Sequence, residues 1–174
     1  MAMKMLAAGG IPLLTDRVRI PDEDNPKGYF EMERVKGLAE QGDKSWLKEA
    51  RGKAVKIISH LLRELPDEHA YRVIFMNRHL QEVMRSQNKM LVRRGEVLSS
   101  DDKKVIALFE QHLRSLEPWL RQQSNFKVLD LQYSEVVGDP LRGAAQLAEF
   151  LQQELDATVM ASAVEPGLYR NRAS

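Results

Sequence analysis

The chain alternates short apolar runs with longer segments in which apolar residues recur every three or four positions. The short runs predict strands at Val55–Ile58, Tyr71–Met76 and Phe126–Leu131. The near-continuous apolar character of Tyr71–Met76 is typical of a strand that is buried in a parallel sheet.

The longer segments predict amphipathic helices over His79–Arg94, from Asp101 onward with Ser99 or Ser100 as the cap, and over Pro140–Leu155. Pro118 is expected to end or kink the second of these helices near Glu117, because proline lacks the N–H group that a helix interior needs. Strands alternating with helices favour an α/β fold in three layers, with a mostly parallel sheet flanked by helices, in a single domain over residues 1–174.

Shorter elements are predicted before the first strand, namely helices over Ala2–Ala8, Met32–Gln41 and Lys44–Ala50 and a long loop over Ile11–Glu31. Gly9 and Gly10 follow the first helix as its C-cap. That helix has no N-cap residue and no strand before it, and three strands are few for a parallel sheet. We therefore expect the chain to be truncated at its N-terminus and to lack one strand.

The composition excludes several classes of protein. The 174 residues include 26 Lys and Arg against 25 Asp and Glu, so no net field favours nucleic acid or a membrane, and any anion site must be local. The absence of cysteine excludes disulfides, thiolate metal sites and cysteine nucleophiles. No apolar run reaches the roughly 20 residues that span a bilayer. We expect a cytoplasmic protein without nucleic-acid or membrane partners, and a homo-oligomer stays open.

Polar residues follow each predicted strand, at the edge where open parallel sheets bind their ligands. Arg78 would stand before a helix whose first N–H groups favour an anion, and Ser86 would follow two helical turns later. A guanidinium and a hydroxyl so placed can share one phosphate. The alternative is an exposed arginine and a helix serine that bind no ligand.

The segment Met76–Ser86 resembles the part of bacterial and other sulfotransferases that binds the 3′-phosphate of 3′-phosphoadenosine 5′-phosphosulfate (PAPS). That family places an arginine at the strand end and a serine eight positions later, as Arg78 and Ser86 stand here. It usually has an acidic residue where Glu82 stands, whereas its frequent proline is replaced by Leu80. The resemblance implies a P-loop nucleoside-triphosphatase-like fold, PAPS as the co-substrate, and Arg78 with Ser86 as ligands of its 3′-phosphate.

The segment Ser59–Pro66 resembles the His-Leu-Pro segment that carries the catalytic base of many sulfotransferases. The resemblance implies that His60 is the base, and an imidazole is suited to accept a proton near neutral pH. The lysine that often precedes this histidine by two residues is Ile58 here, and Lys56 is the nearest substitute. A structural or solvated histidine is the alternative.

Two later segments also look like parts of this family. Tyr133–Pro140 resembles its Tyr-Glu-Asp-Leu-x-x-Asp-Pro segment, and Pro140 suits the first position of a helix. Val164–Arg172 resembles the C-terminal end of short bacterial members, which implies Arg170 and Arg172 as further phosphate or sulfate contacts. A solvated basic tail is the alternative for these two arginines.

The early segment Asn25–Glu31 resembles a loop on the acceptor side of the same proteins. The resemblance implies Lys27 or Tyr29 near the acceptor. The alternative is a packed loop that Tyr29 and Phe30 anchor.

The phosphate-binding loop of the family, roughly Pro-Arg-Ser-Gly-Thr-Ser, has no counterpart in front of Ala2–Ala8. The leading hypothesis is transfer of a sulfuryl group from PAPS to a hydroxyl or amine of a small-molecule or glycan-type acceptor, without a metal. A non-catalytic nucleotide-binding or interaction protein that kept the fold is the alternative. A small kinase of related fold is a third hypothesis.

Overall fold

The structure is a computed structural model and describes residues 1–16, 18, 28–40, 42–93, 95 and 101–169. It contains both helices and strands, and it divides into two compact units. Unit 1 comprises Met1–Ala70 and Leu141–Val164, and unit 2 comprises Tyr71–Pro140 and Glu165–Ser174. Each unit has its own set of contacts and is described by itself.

The described chain forms seven α-helices, two strands and three 3₁₀ helices. The α-helices are α1 (Ala2–Ala8), α2 (Glu33–Lys36), α3 (Leu80–Arg93), α4 (Asp102–Gln122), α5 (Tyr133–Gly138), α6 (Pro140–Leu151) and α7 (Ala157–Ser162). The strands are β1 (Tyr71–Asn77) and β2 (Phe126–Gln132), and 3₁₀ helices span Ser45–Ala50, Ser59–Glu64 and Pro166–Leu168. In the described part of the chain, no helix is both long enough and apolar enough to cross a membrane.

The sheet of unit 2 is formed by β1 and β2, which run parallel in a register from Tyr71 opposite Phe126 to Asn77 opposite Gln132. The two rings at its start pack with their centroids 4.8 Å apart. The strands predicted over Tyr71–Met76 and Phe126–Leu131 are confirmed, as is the helix predicted over His79–Arg94, which forms as α3. Because the first and last residues of β1 pair with those of β2, both strands end at the same edge of the sheet.

The third predicted strand, Val55–Ile58, is wrong. These residues join no strand ladder, and the nearest pairing is an isolated parallel bridge between Leu13 and Ala54. Ile58 is 59% exposed, so the apolar run does not enter a buried layer. β-branched residues favour extended backbone, but a ladder also needs a neighbouring strand at hand. The sheet within the described residues therefore has two strands rather than the three expected.

Two predicted helix ends also differ from the structure. α4 passes through Pro118 and continues to Gln122, and its N-cap is Asp101, whose carboxylate accepts a hydrogen bond from the N–H of Lys104 at 3.0 Å. The caps predicted at Ser99 or Ser100 lie outside the described residues. α6 ends at Leu151 rather than Leu155, because Gln152 adopts a left-handed conformation with φ of 53°.

The predicted helices of the early segment are shorter than expected. Of the helix predicted over Met32–Gln41, the described residues up to Glu40 are helical only over α2 and continue in turns, and Lys44–Ala50 becomes the 3₁₀ helix Ser45–Ala50. A four-residue helix makes too few internal hydrogen bonds to persist by itself, so α2 depends on its packing. Its buried residue is Val35.

Unit 1 is held together by helices from both ends of the unit. α1 packs against α7, and Met5 and Met160 are fully buried there. Gly9 caps α1 as predicted, and a Cβ atom at this position would lie 2.8 Å from Cγ of Met160. Gly10 has φ of 90°, which only glycine adopts without strain, so the chain can turn sharply after α1. The close helix packing thus depends on a small residue at position 9.

Candidate functional site

The carboxyl edge of the two-stranded sheet carries the polar residues of interest in unit 2. Asn77 ends β1, and its side-chain amide donates a hydrogen bond to Oδ1 of Asp130 on β2 at 3.0 Å. Arg78 follows β1 and precedes α3, as predicted, while Tyr133 follows β2 and begins α5. Since the two strands end opposite each other, the residues that follow them lie at one edge of the sheet.

Arg78 is held on three sides. Its Nε donates a hydrogen bond to Oε2 of Glu82 at 3.1 Å, one helical turn later. Its guanidinium carbon lies 4.9 Å from the ring centroid of Tyr133 and 5.6 Å from that of Tyr169. Both contacts are within the range of cation–π attraction. Its terminal nitrogens make no hydrogen bond to any described residue, and the side chain is 22% exposed. One edge of the guanidinium can therefore receive an anion.

Glu82 is the buried charge of this site, with only 2% of its surface exposed. Besides the Arg78 bond, its Oε1 accepts a hydrogen bond from the hydroxyl of Tyr169 at 2.7 Å. The rings of Tyr133 and Tyr169 pack edge to face, with centroids 5.2 Å apart. A buried carboxylate is tolerated when it is paired and hydrogen-bonded, and Glu82 is both. We refer to Arg78, Glu82, Tyr133 and Tyr169 as the Arg78 cluster.

The environment of the cluster disfavours ionisation of the Tyr133 phenol. Burial raises the pKa of the Tyr133 hydroxyl above its ordinary value; the positive charge of Arg78 acts against this shift, and the negative charge of Glu82 adds to it. A neutral phenol adds no second negative charge beside Arg78 near neutral pH. Tyr133 therefore supplies an aromatic face and not a competing anion.

Ser86 lies on α3, one turn after Glu82 and two turns after Arg78. Residues four apart on a helix share a face, so Ser86 lies on the face that carries Glu82. The side chain is partly exposed, and its hydroxyl makes no hydrogen bond within the described part of the chain. The structure thus places both predicted phosphate ligands, Arg78 and Ser86, in unit 2, at the start of α3 and along it.

His60 does not stand at a strand end, because its segment forms the 3₁₀ helix Ser59–Glu64. Its side chain is exposed, and it belongs to unit 1, whereas the Arg78 cluster belongs to unit 2. Lys56 is engaged with the early loop: its Nζ donates to Oε1 of Glu31 at 3.0 Å and to the backbone oxygen of Tyr29 at 3.3 Å. Lys56 therefore anchors the loop.

Of the other residues predicted to contact the acceptor or the nucleotide, the structure describes only some. Tyr29 is buried in unit 1, in keeping with the packed-loop alternative. Lys27, Arg170 and Arg172 lie outside the described residues. No group of three histidine, aspartate or glutamate side chains that could hold a metal ion occurs within the described ranges.

The sequence reasoning missed the two tyrosines as partners of Arg78. Tyr133 directly follows β2, so its position at the sheet edge could have been inferred from a parallel register. Tyr169 reaches Glu82 across 87 positions of sequence, and no local pattern indicates this contact. The buried state of Glu82 was likewise hidden, because an acid in the first turn of a helix is usually exposed.

Comparison of the chain with protein-family models, with curated proteins and with solved structures finds no match.

Proposed function

We propose that this protein transfers a sulfuryl group from PAPS to a hydroxyl or amine acceptor, with Arg78 and Ser86 binding the 3′-phosphate of the nucleotide. The observation that carries the proposal is the open terminal edge of Arg78, at the carboxyl edge of a parallel sheet and beside the start of α3. Ligands of parallel α/β folds bind at this edge. The proposal includes a single P-loop-type α/β domain, of which the β1–β2 sheet would be a part.

The chemistry of the Arg78 cluster suits a phosphate monoester. Two terminal guanidinium nitrogens can donate parallel hydrogen bonds to two phosphate oxygens. The first N–H groups of α3 point out of the N-terminal end of the helix, next to Arg78, where the helix dipole favours negative charge. The Ser86 hydroxyl would donate a further hydrogen bond from the next turns of the helix. Arg170 and Arg172 would add phosphate or sulfate contacts.

The proposed general base is His60. Its side chain is exposed, so an acceptor can approach it from solvent. A base that takes the acceptor proton makes the acceptor oxygen or nitrogen a better nucleophile. Its bond to sulfur would form as the bond from sulfur to the 5′-phosphate oxygen of PAPS breaks and PAP leaves. Stabilisation of the transferring group would come from cationic and N–H donors of the protein. The proposed acceptor is a small molecule or a glycan, and the proposed compartment is the cytoplasm.

The proposal is tested by calorimetric titration of the purified chain with 3′-phosphoadenosine 5′-phosphate (PAP), the nucleotide product. We expect saturable binding of PAP and, because the 3′-phosphate supplies the contacts to Arg78, binding of adenosine 5′-phosphate that is weaker by about tenfold or more. Equal affinities for the two nucleotides would contradict a 3′-phosphate site at Arg78. The absence of any PAP binding by the folded chain would refute the proposal as a whole.

A second candidate function is a binding or interaction protein without turnover. It is favoured by the pairing of Arg78 with Glu82, which is also the arrangement of a structural ion pair. A related small kinase is the third candidate.

Replacing His60 with alanine separates transfer from mere binding. For a sulfotransferase we expect the release of PAP from PAPS, measured with a panel of hydroxyl and amine acceptors, to slow by roughly 100-fold or more, with PAP affinity unchanged. His69→Ala is the matched control, because it removes another histidine of unit 1. A binding protein has no rate to lose in either variant.

A further inference from the structure

The Arg78 cluster contains a feature that net charge alone does not explain. Glu82 carries a charge opposite to that of Arg78 and lies in direct contact with it, so the pair is close to neutral. A neutral pair attracts a distant anion weakly, and its affinity must come from directed hydrogen bonds at short range. The direction in which Arg78 presents its terminal nitrogens therefore determines how well the cluster holds an anion.

That direction depends on the position of the Glu82 carboxylate, since Glu82 holds Arg78 by its Nε. The carboxylate in turn has two oxygens with different partners: Oε2 accepts from Arg78, and Oε1 accepts from the Tyr169 hydroxyl at 2.7 Å. The two bonds fix the plane of the carboxylate. The ring of Tyr169 also packs against Tyr133, beside the same guanidinium.

We propose that Tyr169 is a positioning residue, which orients Arg78 through Glu82 so that its terminal nitrogens meet a phosphate. The residue does not touch the anion and acts through a hydrogen bond to a buried carboxylate. It comes from the segment after the 3₁₀ helix Pro166–Leu168, far from α3 in sequence, so the site is complete only when this segment is in place. The consequence for nucleotide affinity rests on the proposed function, whereas the orientation of Arg78 does not.

The orientation is measured without nucleotide, by ¹H–¹⁵N spectra of the arginine side chains. In the wild-type chain we expect the Nε–H signal of Arg78 to exchange slowly with water, and it is assigned by its loss in Arg78→Lys. In Tyr169→Phe the carboxylate loses the hydrogen bond to its Oε1, and this signal should exchange about tenfold faster. Tyr133→Phe keeps a ring beside Arg78 and leaves the Glu82 bonds intact, so the slow signal should persist.

The affinity is measured by titration with PAP. We expect Tyr169→Phe to bind PAP about tenfold more weakly, while Tyr71→Phe, which removes a hydroxyl at the opposite end of β1, binds as the wild type does. A wild-type chain without a slow Arg78 signal, or a Tyr169→Phe variant that keeps both the slow signal and the affinity, would overturn the proposal. If the wild-type chain binds no PAP, the proposed function fails, and the exchange rates still decide whether Tyr169 orients Arg78.

Discussion

Replacing Arg78 with alanine is expected to weaken PAP binding roughly 100-fold and to lower the free energy of unfolding by about 3 kcal/mol. The two effects have one origin. The variant removes the phosphate ligand, and it also leaves Glu82, whose side chain is 3% exposed, without its cation. A neutral donor such as the Tyr169 hydroxyl does not replace the positive charge that Arg78 supplies. Calorimetry measures the affinity, and urea unfolding measures the stability.

Two further variants separate the ligand role of Arg78 from its structural role. Combining Arg78→Ala with Glu82→Gln removes the uncompensated charge, so about half of the lost stability should return while PAP binding stays lost. Arg85→Ala removes an exposed arginine of the same helix and should leave both measurements near the wild-type values. An Arg78→Ala variant as stable as Arg85→Ala would contradict the buried ion pair described above.

Replacing Met160 with alanine is expected to destabilise unit 1 by about 2–5 kcal/mol, the usual range for truncating a fully buried side chain. The neighbouring Val159→Ala is the matched control: Val159 lies on the same helix and is 45% exposed, so its truncation should have an effect below about 1 kcal/mol. Urea unfolding is followed by tryptophan fluorescence in a Trp119→Phe background, so that the signal comes from Trp46, which is buried in unit 1.

Because Met160 contacts Gly9, we expect the effect of Gly9→Ala on stability to reverse when Met160 is replaced with alanine. In the wild-type chain, Gly9→Ala would bring a Cβ atom to 2.8 Å from Cγ of Met160, and the crowding should destabilise unit 1 by about 1 kcal/mol. In the Met160→Ala background the same methyl group enters the space that the methionine left. Gly9→Ala should therefore stabilise that background. Additive effects of the two substitutions would contradict direct packing between α1 and α7 at this point.

The elements that the sequence predicts well are those whose signals are local. Tyr71–Met76 and Phe126–Leu131 are strongly apolar and bounded by turn residues, and α3 has an apolar face at helical spacing. Val55–Ile58 is richer in β-branched residues than either strand, yet it forms no ladder because pairing depends on a neighbour that the run itself does not specify. The helix predicted to end or kink near Glu117 instead continues through Pro118, again because of contacts distant in sequence. Leu116 and Leu120, two residues before and after the proline, are buried, and their packing holds the helix together.

In the candidate site, too, the features with a local sequence signal could be predicted and those that depend on distant contacts could not. Arg78 could be placed from the sequence, because the end of a strand and the start of a helix are both local features. The restraints on Arg78 could not be predicted, since Tyr169 lies 87 positions beyond Glu82 and the position of Glu82 in its helix gives no sign of its burial. The expected position of His60 at a strand end depends on a strand over Val55–Ile58, and it fails with that strand.

The pairing of α1 with α7 also constrains the order of events during synthesis. A ribosome releases α1 about 150 residues before α7, so Met5 stays without its partner while most of the chain is made. A seven-residue helix is marginal in water on its own. Unit 1 consequently has to fold late, after the whole of Tyr71–Pro140 has emerged, and its unpaired methionine surface is exposed to chaperones and proteases until then.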